Sequence, residues 1–416
     1  MRIVDVCAFY TPHGGGVRTY VDRKLRTLPA LGHEVVVIAP GRHDSVVRRG
    51  PGALFVTIAS PALPFDRRYH YFADRTGIHD ALDAWRPDFI EASSPWSSAT
   101  KVAEWQGHAP RSLVMHADPL SSYAYRWLGP LASQARIDRL FDRFWKHLRE
   151  LDKAFDIVVS PGASLTRRLQ AGGLKKVRSV PLGVEPGIFH PRRARSELRQ
   201  ELLDRLMLPD DGLILIGIGR FSAEKRWPMV VRAAASAARR RPVGLLLIGA
   251  GKQEEKIAKE AGFSSHIEIS PPVRSRAELA SLLASSDAFV HGCESETFCL
   301  VASEARASGL PIIVPDRGGA FDQLGAGAGL AYRAGNATAL RDAIVRLYDT
   351  PDAFTGRVRA AAGVRTMDEH FVDLMERYES ITWGNTPALP LHPAELHELH
   401  FLDEATDRRR DALLAR

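Results

Sequence analysis

Residues 287–319 read DAFVHGCESETFCLVASEARASGLPIIVPDRGG, and this stretch decides the fold. DAFVHG and PIIVP are short apolar runs without polar alternation, the composition of strands buried on both faces. Between them, ETFCLVASEARASG reads as a helix that begins near Thr297 and stops at Gly309, a residue suited to a helix end. A strand, a crossover helix and a second buried strand build a parallel sheet covered by helices.

The same alternation extends in both directions. LILIGIG, VGLLLIGA and HIEIS are further strands of the second half, separated by helices near WPMVVRAAASAARRR, KQEEKIAKEAG and RAELASLLASS. In the first half RIVDVCAFY, HEVVVIAP, ALFVTIAS, DFIEAS, RSLVMH and DIVVS are strands, with VRTYVDRKLRTLPALG among the helices between them. The expected class is therefore α/β: two Rossmann-like, doubly wound parallel sheets, each binding ligands beyond the carboxyl ends of its strands, facing one another across a cleft. Proline and glycine cluster in VPLGVEPGIFHPRR, residues 180–193, which places a boundary close to Val184. The expected domains are 1–184 and 185–365, followed by a helix over 366–384 and a Pro/His-rich, then charged, tail over 385–416.

At 416 residues the chain is long enough for two domains of roughly 150 to 200 residues. Its 45% hydrophobic and 25% charged residues are those of a globular protein and exclude fibrous and disordered classes. The formal charge of +7 is compatible with phosphate-bearing substrates, nucleic acid or an anionic membrane surface. No nucleic-acid-binding module is present and the basic residues are dispersed, so nucleic acid is not an expected partner. Cys7, Cys293 and Cys299 are too few and too scattered for a disulfide framework or a zinc site, which points to a reducing compartment. No signal-peptide pattern opens the chain and no run of about twenty apolar residues occurs, so the expected location is cytoplasmic.

Two carboxylates, Glu296 and Glu304, stand in a stretch that otherwise reads as core. Eight helical residues turn about 800° and rise about 12 Å, so the pair spans a ligand and does not meet at one proton. Glu296 sits at a strand-to-helix turn on the ligand-binding edge. Taken alone, such a pair is also compatible with a helix cap and a solvated acid.

Together these segments resemble retaining glycosyltransferases of family 4, of GT-B architecture. The resemblance is carried by ETFCLVASEARASGLPIIV with the following DRGG, by IGIGRFSAEKR, LLLIGAG and VPLGVEPGIF, and by HGGGV near the N-terminus, and it covers nearly all of residues 1–384. It implies a donor that is a UDP- or GDP-linked sugar, an acceptor-binding N-terminal domain, a nucleotide-sugar-binding C-terminal domain, and a last helix that crosses back to the first domain. It also implies that Glu304 holds the ribose hydroxyls while Glu296 lies beside the donor hexose. Thr297, Phe298, Cys299 and Leu300 would line the donor, with backbone N–H groups meeting the diphosphate. The family commonly has glycine where this chain has Cys299, a departure that bears on how closely the diphosphate approaches.

Physical chemistry assigns further candidates. A diphosphate leaving group gains negative charge as the glycosidic bond breaks, so it needs fixed cations; Arg220 and Lys225, in GRFSAEKRW after a strand, meet that need. Gly219 and Gly249 open the loops after two strands and are placed with the donor. Gly14, Gly15 and Gly16 follow the first strand and precede a helix, where backbone can approach a ligand closely. Taken alone the loop is also compatible with a plain turn; the resemblance implies that it touches the donor phosphates and the acceptor, with Gly15 and Gly16 on the donor and Gly14 on the acceptor. His116 ends the strand RSLVMH; a lone histidine also suits a structural role, but the resemblance implies contact with the donor sugar and a part in orienting the reacting groups, and His116 is placed with the acceptor as well. Asp118, two residues on, is a further polar candidate for the acceptor. No Asp-x-Asp occurs in the chain, so neither a metal nor any other cofactor is expected.

The rival oxidoreductase reading lacks its fingerprint, because Glu254 stands where the third glycine of a dinucleotide loop belongs. A nucleotide-sugar-binding protein without turnover has the same residues and stays open. The expected acceptor is a lipid or saccharide. Residues 122–153 mix aromatics and leucines with arginines and lysines, a pattern for a helix lying peripherally on anionic membrane. The same pattern suits a surface helix whose Leu140, Phe144 and Leu148 pack inward.

Overall fold

The computed structural model describes residues 1–384 apart from 12–14, 65, 119, 121–132, 263, 325–328 and 352–362. The apolar runs of the first half become β1 (Arg2–Val6), β2 (Glu34–Gly41), β4 (Ala53–Ala59), β7 (Phe89–Ala92), β8 (Arg111–Val114) and β9 (Ile157–Ser160). Shorter or more polar segments add β3 (Ser45–Gly50), β5 (Ala62–Leu63), β6 (Asp66–His70) and β10 (Val177–Ser179). The sheet order is β10-β9-β8-β7-β1-β2-β4-β3, with β5 and β6 forming a separate hairpin. The pairings β1–β2, β1–β7, β2–β4, β8–β9 and β9–β10 are parallel, whereas β3 returns antiparallel to β4.

The second half forms β11 (Leu213–Ile218), β12 (Val243–Ile248), β13 (Ile267–Ser270), β14 (Ala288–Val290), β15 (Ile312–Pro315) and β16 (Gly329–Tyr332). These strands are all parallel, in the order β13-β12-β11-β14-β15-β16. The order winds outward from β11 and reverses at β14, which opens a crevice between the carboxyl ends of those two strands.

Alternation along these strands divides the core in two. Ile214, Ile216, Leu246, Ile248, Ile312 and Val314 point to one face, where Leu202 and Leu206, Leu279 and Leu283, and Ala302 and Ala305 cover them. Leu215, Leu245, Leu247, Val290 and Ile313 point to the other, against Trp227, Val231, Ile257, Leu340 and Ile344. Each buried leucine or isoleucine contributes about 1.5–3 kcal/mol, so the two faces together hold the strand ends rigid.

The chain falls into two compact units: residues 1–92, 104–111 and the segment from Phe371 onward, and residues 93–103 with 112–370. Inside the first, Lys24 on the helix Gly16–Ala30 is fully buried and bonds Asp5 at 2.7 Å and also Glu91. Tyr378 donates to Glu91 at 2.9 Å and stacks on Phe89 with ring centroids 4.0 Å apart, tying the helix Met367–Trp383 to β7. Inside the second, Val184 forms a parallel bridge with Thr366, and the amide of Met367 donates to the Val184 carbonyl at 2.8 Å. A Cβ on Gly183 would lie 2.1 Å from the Thr366 carbonyl, so only glycine permits this crossing. Thr366 and Glu369 exchange side-chain-to-backbone bonds at 2.6 and 3.2 Å, a capping box that starts the last helix.

Two local expectations need correction. The helix after β14 begins at Leu300 and not near Thr297, so Glu296 lies in the preceding loop and the helical spacing argument applies only to the later part of the interval. Residues 134–154 form two helices, Gln134–Leu140 and Asp142–Ala154, interrupted at Phe141. Leu148 packs inward as expected, joined by Trp145 and Leu151, but Leu140 is 71% exposed and Phe144 only half-buried, so the buried stripe matches the expected one only in part. Residues 122–132 of that segment, Gly14 and the tail 385–416 lie outside the described residues.

Candidate active site

The crevice between β11 and β14 is where the charged residues collect. β11 ends at Ile218 and leads through Gly219 and Arg220 to the single turn Ala223–Lys225, followed by Arg226 in left-handed conformation at φ 54°. β14 leads into the loop 291–299. These two loops touch backbone to backbone, since a Cβ on Gly292 would stand 2.5 Å from the Lys225 carbonyl. The loop after β15 closes on the same segment: a Cβ on Gly319 would meet the Phe298 amide at 2.4 Å. Glycine at both contacts is what lets three loops meet.

Their meeting point is Glu296. One oxygen, Oε1, accepts from Lys225 Nζ and from His291 Nε2, the latter at 3.0 Å. The side chains of Lys225 and Glu296 are 15% and 20% exposed and that of His291 is sealed, so the pair is largely buried but keeps an opening to solvent. Burial works to raise the Glu296 carboxyl, but the Lys225 ammonium and the His291 bond overcome it and hold the group well below the usual carboxylate range. Burial likewise opposes the Lys225 charge, and Glu296 more than offsets it, leaving the ammonium firmly protonated. Burial lowers His291, against a smaller opposing pull from Glu296. A neutral imidazole must then carry its proton on Nε2 to donate to the carboxylate, which agrees with Nδ1 having no hydrogen-bond partner among the described residues. The rings of Trp227 and Phe289, with centroids 5.7 and 5.9 Å away, hold the imidazole in place.

A second ion network braces the same loops. Glu294 accepts from Arg226 and, at 2.7 Å, from Arg317, joining the loops after β11, β14 and β15. Glu304 stands on the helix Leu300–Ala307 with its side chain 8% exposed and accepts from Arg276 at 2.6 Å. Cys299 caps the start of that helix at φ 72° and ψ 68°, a left-handed conformation that costs a residue with a Cβ about 1–2 kcal/mol. The thiols do not offset this by ionising: burial pushes Cys293 up to about 11 and Cys299 well above its ordinary value.

The remaining candidates are placed unevenly. Thr297 Oγ1 donates to the His116 carbonyl at 3.0 Å, so the strand end carrying His116 adjoins the Glu296 loop. Asp118 is buried and engaged, accepting from Arg168 at 2.7 Å and from the Leu120 amide at 3.0 Å. Arg220 is 78% exposed, with Glu224 3.9 Å away. Phe298 and Cys299 are buried, and Leu300 is half-buried. A Cβ on Gly249 would strike the Gly219 carbonyl at 2.0 Å, so these two glycines serve the contact between the loops after β11 and β12. In the first unit Gly15 caps the helix that begins at Gly16, and beyond its chain neighbours no atom of the described residues lies within 4 Å of where its Cβ would be.

Sequence reasoning missed His291, Arg276 and the Glu294 bridge. His291 was legible as a polar residue ending an apolar strand, the same signal that singled out His116. Ligand atoms of His291, Glu296 and Cys299 lie within 4.8 Å of one another, a grouping that resembles a metal site. The shared carboxylate oxygen is already taken by the Lys225 ammonium, whose positive charge opposes a cation at that point.

Comparison with known proteins identifies the family and the fold. The pattern of Glycosyltransferase Family 4 matches residues 14–187 and that of Glycosyl transferases group 1 matches residues 199–362. A GDP-mannose-dependent alpha-mannosyltransferase of Mycobacterium tuberculosis is 30% identical over 341 residues, covering 77% of this chain and 81% of that protein. A GDP-mannose-dependent alpha-(1-6)-phosphatidylinositol dimannoside mannosyltransferase of the same species is 27% identical over 315 residues, covering 76% and 79%. Among solved structures, sucrose-phosphate synthase from Thermosynechococcus elongatus superposes with a TM-score of 0.71 at 20% identity, covering 92% of this chain and 99% of that one. The chain therefore has the GT-B fold and belongs to glycosyltransferase family 4.

Proposed function

We propose that this protein is a retaining, metal-independent hexosyltransferase that takes mannose from GDP-mannose and delivers it to a hydroxyl of a lipid or lipid-linked saccharide. The observation that carries the reading is the Lys225–Glu296 pair, which keeps an opening to solvent at the crevice between β11 and β14, with a second buried carboxylate, Glu304, further along the same loop and helix. The choice of GDP-mannose is supported by the donor that the mycobacterial relatives are named for.

In this reading Glu304 accepts from the ribose, and the diphosphate meets the N-terminus of the helix Leu300–Ala307, whose free amides favour an anion. Lys225, bonded to Glu296 in the loop before that helix, faces the diphosphate, and Arg220, exposed on the loop after β11, reaches the phosphates from the other side. Glu296 faces the hexose. As the bond from the anomeric carbon to the β-phosphate breaks, Lys225 and the helix terminus stabilise the charge gathering on the phosphate oxygen. The acceptor hydroxyl bonds to the anomeric carbon from that same face and gives its proton to the departing phosphate, so the configuration is kept without a carboxylate nucleophile. Lys225 and the amides supply the positive charge that a metal would otherwise bring.

A lipid surface for the acceptor is supported by the helices Gln134–Leu140 and Asp142–Ala154. Leu140 stands out beside the exposed Arg136, Arg139 and Arg143, a mixture suited to anionic headgroups. No helix among the described residues is long and apolar enough to cross a membrane.

The test is release of GDP from GDP-mannose in the presence of phosphatidylinositol mannosides, with and without EDTA, and NMR of the product linkage. Turnover that EDTA leaves intact, giving an α-linked mannose, is the expected result. Inversion of the linkage or complete metal dependence would contradict the mechanism, and tight binding of GDP-mannose without turnover for any acceptor would make the chain a binding protein.

A further inference from the structure

Glu304 presents a problem of charge. It is a carboxylate with an 8% exposed side chain in the last turn of the helix Leu300–Ala307, where the helix dipole already favours cations. Among the described residues its side chain bonds Arg276 alone, through Oε1 at 2.6 Å, which leaves Oε2 to accept from elsewhere. Arg276 is itself fixed from three sides. Its Nε donates to Glu185 at 3.4 Å, its guanidinium lies over the Phe189 ring at 4.7 Å from the centroid, and its helix is capped by Ser275, which accepts from the Glu278 amide at 3.3 Å. That helix opens the segment after β13, on the same sheet edge as the helix of Glu304.

We infer that Arg276 is a positioning residue for the donor's ribose: it neutralises Glu304, orients the carboxylate through Oε1, and so presents Oε2 to a ribose hydroxyl. This rests on the reading of Glu304 as the ribose acceptor. Arg276 touches neither base nor phosphate in this role, so its whole effect on nucleotide affinity passes through the sugar hydroxyls. Lysine in its place keeps the charge but cannot reach both carboxylates while stacking on Phe189, so it restores part of the effect.

The experiment is calorimetric binding of GDP and UDP, each beside its 2′,3′-dideoxy form, to the wild type and to Arg276→Ala and Arg276→Lys. The wild type is expected to prefer the ribose form, and Arg276→Ala to lose about tenfold or more in affinity for it, the scale of one charge-assisted hydrogen bond. Affinity for the dideoxy form should be unchanged, and Arg276→Lys should fall between. Equal losses for ribose and dideoxy forms, or no loss for either, would overturn the inference while leaving the donor reading intact. A wild type that binds neither nucleotide would overturn both. Should Arg276→Ala not fold, the double variant Arg276→Met with Glu304→Gln removes both buried charges. It should bind GDP as Glu304→Gln alone does, and a further loss would count against the inference.

Discussion

The protein buries two lysines against glutamates, and they differ in one respect that separates structure from chemistry. Lys24 in the first unit bonds Asp5 and Glu91 with every side chain at 0% exposure, and Tyr20 and Tyr378 complete the enclosure. Lys225 in the second unit bonds Glu296 at the open end of a crevice, with its side chain 15% exposed. A sealed pair is cut off from any ligand and holds elements in register, whereas a pair that keeps an opening to solvent can exchange its partner for a phosphate or a sugar hydroxyl. The electrostatics diverge in the same sense. Burial raises Glu91 and the Asp5 charge adds to the rise, which Lys24 only partly offsets, while Lys225 and His291 carry Glu296 below the usual range despite its burial.

The largest effects should come from removing each lysine. Lys24→Ala leaves two carboxylates buried without a cation and should cost roughly 3–5 kcal/mol of stability in chemical denaturation. Lys225→Ala should depress turnover about 10²–10³-fold, the scale of losing one preorganised charge at a developing anion, with a smaller change in denaturation midpoint. If both variants lost stability equally and Lys225→Ala kept its turnover, the two pairs would be of one kind.

The contrast sharpens with pH. Glu91 is raised in the folded protein, so its contribution to stability is present below the ordinary glutamate value and is lost as pH rises from there through its folded value. Glu296 is depressed, so its contribution is present above the ordinary value and is lost as pH falls through its folded value. Glu91→Gln should therefore flatten the stability profile on its rising-pH side, and Glu296→Gln on its acid side. Thermal unfolding across pH reads both, and a matching change of slope in the two variants would erase the distinction.

A smaller effect tests the helix start beside the open pair. Cys299→Gly relieves a left-handed residue and should stabilise the fold by about 1 kcal/mol or leave it unchanged, with affinity for the nucleotide sugar equal or higher. A clear loss of stability would show that the buried thiol contributes more by packing than its backbone costs.

What could be read from the chain follows the same division. The buried parallel strands were legible because β11 and β12 are short runs that are apolar on both faces. β3 was not, since its residues are mostly exposed arginine and valine, and β16, with GLAY, is too short to carry a pattern. The break at Phe141 was hidden because the apolar period runs across it. In the site, Glu296, Glu304 and Lys225 were legible as charges at strand ends or within an apolar helix. Arg276 and the Glu294 bridge were not, because their partners come from other loops and only the strand order brings them together.

The division of labour between the two glutamates is the central claim, and calorimetry with free GDP beside initial rates with GDP-mannose tests it most directly. Glu304→Gln should weaken binding of GDP and of the sugar nucleotide alike, by roughly 1.5–3 kcal/mol at most. Glu296→Gln should bind free GDP as the wild type does while turnover falls, because its partner is the hexose. Equal losses of GDP affinity in the two folded variants, or no loss of affinity or turnover in either, would contradict the account.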